Sequence, residues 1–358
     1  MAKDNMQQAK FELFQVGQNT SDMAASLRFY AEVFGFANGG GQAGWGEGMR
    51  LQGLEPAGQV LVWWMVAAQP RMQFELFHHT GPVQRPQPSD WSPADHGWVR
   101  IGLSVNRFDH VLNRLNGAGI ALLGRTTSAS GPRRIALRDP FTRIVIEVWE
   151  DGPGVPGYPR ERVHGLDPAI LYATSSVADL SAARRFYGEI VGLRILPLEK
   201  LHGPEDEALW GLPGARRQGF LAEAGDAVLE VVEYESPRGK PKRSDYRFSD
   251  QGIMNVALFA RSTQTIQAVI DRLDAEKRPP RSLIVGAQML GTYVLERDRE
   301  VELISFPPEM EPFIGFQPMP FLGVAPEGIP AAEGIRIVHR LDEANAPSAP
   351  TEPETMGH

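Results

Sequence analysis

The sequence predicts an α+β protein assembled from four strand–helix–strands modules in two pairs, and three observations predict it. The stretch DMAASLRFYAEVFGF from Asp22 returns 157 residues later as DLSAARRFYGEIVGL from Asp179, with seven of fifteen positions identical. Each copy is followed by a second unit with the same order of apolar runs and polar breaks. Between the halves lies EDGPGVPGYPRERVHGLDP (150–168), where Pro and Gly crowd as they do in interdomain linkers.

The elements follow in order. FELFQV reads as a first strand, and Asp22 is placed to cap a helix whose Met23, Leu27 and Tyr30 recur at helical spacing until Gly35 ends the run. VLVWWMVA and MQFELFHH are further strands, bounded by turn residues. The second unit reads GWVRIGLSV, a helix in DHVLNRLNGAG, then RRIALRD and RIVIEVWED. Beyond the joint, AILYATSSV precedes Asp179, Leu180, Arg184 and Tyr187 repeat the helical spacing, and Gly192 stops it; QGFLAEA and AVLEVVEY follow. GIMNVALFA, QTIQAVIDRLDAE and GTYVLERDREVELISF complete the fourth unit. From about residue 307 the chain is rich in Pro and Glu and reads as a wrapping arm and then a disordered tail. The expected boundaries are 8–151 for a first domain of modules one and two, 152–168 for the linker, 169–306 for a second domain of modules three and four, and 307–358 for the arm and tail.

Bulk composition narrows the function. A formal charge of −8 over 358 residues argues against a nucleic-acid partner, whose phosphates call for basic patches; RGKPKR at 238–243 is short and reads as a solvated loop. With no cysteine there are no disulfides, thiolate metal sites or Cys nucleophiles. The N-terminus lacks the apolar run of a signal peptide, and no stretch approaches the ~18 apolar residues of a membrane span. The expectation is a soluble cytoplasmic protein without a membrane partner.

The residues resemble the vicinal oxygen chelate superfamily, which includes glyoxalase I, extradiol ring-cleaving dioxygenases, epimerases and bleomycin-resistance proteins. The similarity rests on D-x-x-x-S/A-x-x-FY-x-x-x-x-G in modules one and three, WGLPGA at 210–215, LRDP at 137–140, and the closing strands FELF, VIEV, LEVV and VELI. It spans nearly everything from residue 11 to 306 and implies βαβββ modules whose paired sheets curl into two cups, each able to hold a metal and a substrate. It also implies one inward-pointing ligand on the first strand of each module and one on the last. Those positions fall on Gln15, Arg100, Tyr172 and Asn255 for the first strands and Glu75, Glu147, Glu230 and Glu302 for the last. Glu75 and Glu230, Arg100 and Asn255, and Glu147 and Glu302 each stand 155 apart, and Gln15 and Tyr172 stand 157 apart, so the register agrees throughout.

From the resemblance, Gln15, Glu75 and Glu147 are the metal-ligand candidates of the first half. Arg100 among them has a fixed charge and no lone pair, so it substitutes for an ion by neutralising glutamates. In the second half both positions that hold His in extradiol dioxygenases are occupied, by Tyr172 and Asn255. Glu230 and Glu302 are expected to face one another, and two carboxylates in one closed cup require a raised pKa or a hard cation. The catalytic candidates are Glu230 or Glu302 as base and Tyr172 as acid, with Asn255, Trp210, His202 and Arg100 contacting substrate. His79 is placed by strand alternation on the side of Glu75, and His202 lies in a loop that can cover the second cup. The functional expectation is lyase- or isomerase-type proton transfer on an oxygenated, aromatic or bulky apolar small molecule, with a divalent metal (Mg, Mn or Fe) or none. The alternatives are an extradiol dioxygenase with atypical ligands and a non-catalytic small-molecule binder. Four modules in one chain allow a monomer, and a homodimer stays open.

Overall fold

The computed structural model describes residues 11–126, 131–280, 282–296 and 299–320, together with the backbone of a strand at 336–339. Module one comprises β1 (Glu12–Asn19), α1 (Met23–Phe29), β2 (Ala37–Trp45), β3 (Gln59–Val66) and β4 (Gln73–Gly81). Module two comprises β5 (Gly97–Val105), α2 (Phe108–Gly117), β6 (Leu122–Arg125), β7 (Arg134–Arg138) and β8 (Val145–Glu150). Module three contains β9 (Ala169–Ser176), α3 (Leu180–Arg185), β10 (Arg194–Pro197), β11 (Arg216–Ala224) and β12 (Ala227–Ser236). Module four contains β13 (Gly252–Phe259), α4 (Thr263–Ala275), β14 (Ser282–Gly286), β15 (Met289–Glu296) and β16 (Arg299–Ser305), and β17 (Arg336–His339) adds to β14.

The repeated signature does what its chemistry requires. Asp22 and Asp179 cap α1 and α3, each accepting from the backbone N–H three residues on at 2.9 Å. Both helices widen into a π-turn and end at Gly35 and Gly192 with φ near +90°. The repeated tyrosine is a tie between sequence neighbours: Tyr30 donates to Asp139 of module two at 2.5 Å, and Arg299 of module four donates to Tyr187 at 3.3 Å.

The modules do not pair as sequence proximity suggests. One sheet runs β17-β14-β15-β16-β13-β1-β4-β3-β2 and joins modules one and four; the other runs β10-β11-β12-β9-β5-β8-β7-β6 and joins modules two and three. The expected division into a first domain of modules one and two and a second of modules three and four is therefore replaced by an outer pair and an inner pair. The physical reason lies in the strand edges. β1 and β5 each carry a parallel neighbour on one side and leave an open edge on the other, and β13 and β9 fill these edges in antiparallel pairing. The joint 150–168 thus connects two modules of one sheet. It is also pinned down: Ala68 N–H donates to Pro168 O and Val163 N–H to Ala68 O, both at 2.7 Å, while Asp167 accepts from the backbone N–H groups of Asn106 and Arg107. One core draws buried residues from all four helices and both sheets, so the pairs share a single hydrophobic interior.

Of the arm, residues 307–320 pack against module one: Gln73 donates to Ile314 O at 3.1 Å and Asn38 to Pro320 O at 2.8 Å. The expected disordered tail at 340–358 lies outside the described residues. No helix among the described residues is long and apolar enough to cross a membrane.

Candidate functional site

Residues paired across a ladder share a face, so strand register states what each cup contains. In the outer cup, of modules one and four, Gly17 pairs with both Glu75 and Asn255, and Ala257 pairs with Gln15 and Glu302. This sets Gln15, Glu75, Asn255 and Glu302 on one face, one from each of β1, β4, β13 and β16. In the inner cup, Gly102 pairs with Glu147 and Tyr172, and Thr174 pairs with Arg100 and Glu230. Both cups need their glycine: a Cβ at Gly17 would lie 2.0 Å from Asn255 Oδ1, and one at Gly102 would lie 1.9 Å from the Tyr172 ring.

The inner cup is filled by its own side chains. The β10–β11 connection sends His202 and Trp210 inward, both fully buried. His202 Nδ1 lies 2.8 Å from Glu230 Oε1 and its Nε2 lies 3.3 Å from Glu147 Oε2, so the imidazole bridges the two carboxylates. Glu147 also accepts from Tyr172, from Trp210 Nε1 at 3.0 Å and from Arg134 at 2.5 Å. Glu230 accepts from Arg100 at 2.5 Å and Thr174 at 2.6 Å, while the Arg100 guanidinium sits 3.3 Å from the Trp210 ring centre. Arg217 pairs with Glu207, and Arg134 also with Asp206. Four carboxylates thus meet three guanidiniums and one imidazole. Burial alone would raise both glutamates, but His202, with Arg134 for one and Arg100 for the other, outweighs it: Glu147 is held at about 2 and Glu230 well below the usual range. The same pairing overcomes burial at His202 and raises its pKa, which favours the charged ring between the two glutamates.

The outer cup has no such compensation. Glu75 and Glu302 are 8% and 5% exposed, against 0% for Glu147 and Glu230. Among the described residues no cation pairs with either. Glu75 accepts from Trp64 Nε1 at 3.1 Å, and Glu302 accepts from Asn255 Nδ2 at 3.2 Å. Burial, and then the charge of Glu302, raises Glu75 well above its ordinary range; burial raises Glu302 to about 7 against the hydrogen bonds of Tyr293 and Asn255. Asn255 Oδ1 is buried without a hydrogen-bond partner. Val62, Trp64, Phe77 and Met254 form an apolar wall with Met49 and Leu54 of the β2–β3 connection.

Several sequence expectations change here. Glu230 and Glu302 do not face each other; they belong to different sheets, and so the proposed trio of Glu230, Glu302 and Tyr172 is not assembled. Tyr172 spends its hydroxyl on Glu147. The metal set Gln15, Glu75 and Glu147 is likewise split, with Gln15 and Glu75 in the outer cup and Glu147 in the inner one. Of the substrate-contact candidates, only Asn255 lies in the outer cup; Arg100, His202 and Trp210 are internal partners of the inner cup. His79 does lie on the Phe77 side of its strand, but its Nε2 is engaged with Gln52 Oε1 at 2.9 Å. Strand alternation in module one points Trp64 to the pocket as one of several aromatic candidates, whereas Arg134, Arg217 and Tyr293 are not among the sequence candidates. Trp64 pairs directly with Glu75 and Tyr293 with Glu302, so hairpin register was the available signal for these two.

The oxygens of Gln15, Glu75, Asn255 and Glu302 fit a hard divalent cation: two amide and two carboxylate donors, one carboxylate pair without a counter-charge, and one amide oxygen without a partner. No group of three or more His, Asp or Glu side chains suited to a metal occurs among the described residues, so such a site depends on the two amides.

Residues 12–148 match the model of the Glyoxalase/Bleomycin resistance protein/Dioxygenase superfamily. That match covers modules one and two, and modules three and four repeat the same order of strands and helix. Among solved structures the chain resembles glyoxalase I from Zea mays, with 13% identity over 84% of this chain and 94% of that one and a TM-score of 0.50. It also resembles a Bacillus subtilis protein provisionally described as a dioxygenase, with 11% identity over 84% and 87% and a TM-score of 0.57. At such identities the likeness establishes the fold and not the reaction. Comparison with curated proteins gives no match.

Proposed function

We propose that the outer cup is the working site and that it performs lyase- or isomerase-type proton transfer on an oxygenated small molecule with an apolar or aromatic body. The observation that carries this reading is the uncompensated pair Glu75 and Glu302 beside the unpartnered Asn255 Oδ1, under an apolar wall. Gln15, Glu75, Asn255 and Glu302 would hold a divalent ion, which when bound supplies Lewis-acid polarisation of a substrate oxygen. In this reading Glu302 takes a proton from the carbon next to that oxygen; in the metal-free protein burial raises its proton affinity toward neutrality. Trp64 orients Glu75 through its indole N–H, and Asn255 orients Glu302. Met49 and Leu54 help exclude water. The inner cup serves as a structural pillar.

The donor set contains no imidazole, which favours Mg²⁺ or Mn²⁺ over the iron of ring-cleaving dioxygenases. Elemental analysis of purified protein tests this. One equivalent of Mg or Mn, lost in Glu302→Gln, is expected; stoichiometric iron would overturn the proton-transfer reading. Exchange of the carbon-bound hydrogen of 2-hydroxyacetophenone in D₂O supplies the chemical test. Catalysed exchange that disappears in Glu302→Gln and persists in Trp210→Phe is expected, whereas exchange indifferent to Glu302→Gln would remove Glu302 as the base.

A further inference from the structure

A cavity of about 330 Å³ lies outside both cups, between the turn that carries the chain from β4 to β5 and the one that carries it from β12 to β13. These turns are related by the internal repeat and tied to each other. His96 N–H donates to Lys240 O at 2.8 Å and Gln251 N–H to Arg85 O at 3.0 Å; the two donors stand 155 residues apart in sequence, and so do the two acceptors. Within each turn an aspartate fixes the backbone: Asp95 accepts from Ser92 N–H and Asp250 from Arg247 N–H. The cavity is therefore built by two copies of one turn and is preformed.

Its chemistry follows from what is already paired and what is not. Lys240 holds Asp90 at 2.6 Å and Asp95 at 3.7 Å, Arg85 holds Asp250 at 2.6 Å, and Arg243 holds Asp245 at 3.0 Å. The lining carboxylates have counter-ions, so the site makes no demand for a charged ligand. Trp91, Trp98 and Tyr246 supply aromatic surface, and Lys242 caps the Tyr246 ring at 3.8 Å. Trp98 Nε1 is used, donating to Glu300 O at 2.9 Å. The indole N–H of Trp91, the hydroxyl of Tyr246 and the side-chain amide of Gln87 line the cavity without a hydrogen-bond partner among the described residues. The volume is at the lower end of small-molecule sites, where an apolar body is gripped by a few polar groups.

We infer that this inter-turn cavity is a second ligand site, for an uncharged planar aromatic molecule bearing a hydroxyl or carbonyl group. The ring lies against Trp91 and Tyr246, and its oxygen takes the free donors of the wall. The site shares no residue with the outer-cup set and does not rest on the outer-cup reading.

Binding of 2-naphthol, followed by quenching of tryptophan emission with 2-naphthoate as the anionic counterpart, tests it on the full chain. Expected are saturation at one naphthol per chain, weaker binding of naphthoate, and a Kd raised by about tenfold in Trp91→Ala and by a smaller factor in Tyr246→Phe. Binding unchanged in Glu302→Gln is also expected, and it separates this cavity from the outer cup. Absence of saturation below about 1 mM naphthol, tighter binding of naphthoate, indifference to both cavity variants, or loss of binding in Glu302→Gln would each overturn the assignment. Melting curves check that the variants fold, and Tyr246→Phe, which removes one oxygen, keeps the test valid if Trp91→Ala does not.

Discussion

The inner and outer cups are written by the same repeat, and position by position they face each other as Gln15 against Arg100, Gly17 against Gly102, Glu75 against Glu147, Asn255 against Tyr172 and Glu302 against Glu230. Glycine and both glutamates occupy the same places in each. What differs is the company: the inner cup gains Arg100, Tyr172 and, from the longer β10–β11 connection, His202 and Trp210, and its carboxylates are fully paired. The outer cup has amides at the two first-strand positions and leaves its carboxylates opposing one another. Glutamates at equivalent positions thus serve opposite ends. In one cup they anchor a buried ionic network that rigidifies the interior; in the other they stand without a counter-charge among the described residues.

The largest effect is expected from breaking the inner network. His202→Ala leaves Glu147 and Glu230 without the cation between them, and loss of one member of a buried ionic set costs about 3–5 kcal/mol. Urea denaturation measures it; a loss below about 1 kcal/mol, the scale of an exposed pair, would mean that the imidazole is not the bridge.

Next in size is the pH dependence, where the cups carry opposite signs. In metal-free protein Glu302 binds a proton more tightly folded than unfolded, its pKa rising from 4.5 to about 7. Its stabilising contribution is complete below the unfolded value and is lost as pH rises toward 7, on the order of 3 kcal/mol for a shift of this size. Glu147, held at about 2, contributes stability above pH 4.5 that is lost as pH falls toward 2. Melting temperature against pH in chelator should fall on both sides of a mildly acidic maximum. A rise between pH 4.5 and 7 would contradict the outer-cup charge pair.

A smaller effect sharpens the contrast. Glu302→Gln removes one of the two opposing carboxylates, so metal-free protein above pH 7 should gain about 1–2 kcal/mol, with little change near pH 4.5, where the carboxyl is already protonated. A loss of stability at high pH would show that Glu302 is compensated after all.

How much of this was legible in the sequence follows from the range of each signal. Asp22, Asp179, Gly35 and Gly192 act on their own helix ends, and local chemistry was enough to place them. The constant spacing of the last-strand glutamates likewise set every one of them facing a cup, because alternation along a strand is local. Which module pairs with which is a property of open edges on β1 and β5, and those edges look alike in sequence. That is why Glu230 was assigned to the cup of Glu302. His202 and Trp210 come from a connection without periodicity, and only the closed structure brings them between Glu147 and Glu230. Arg134 and Arg217 lie on middle strands of their modules, beyond the first and last strands to which the superfamily pattern applies.

The most direct test of the central contrast is a Mn²⁺ titration read by the electron paramagnetic resonance signal of the free ion, on wild type, Glu75→Gln and Glu147→Gln. The outer cup as the cation site requires one equivalent bound by wild type and by folded Glu147→Gln, with binding abolished in Glu75→Gln. Retention of Mn²⁺ by Glu75→Gln, or its loss in a Glu147→Gln protein that still folds, would place the cation elsewhere and undo the distinction between the two cups.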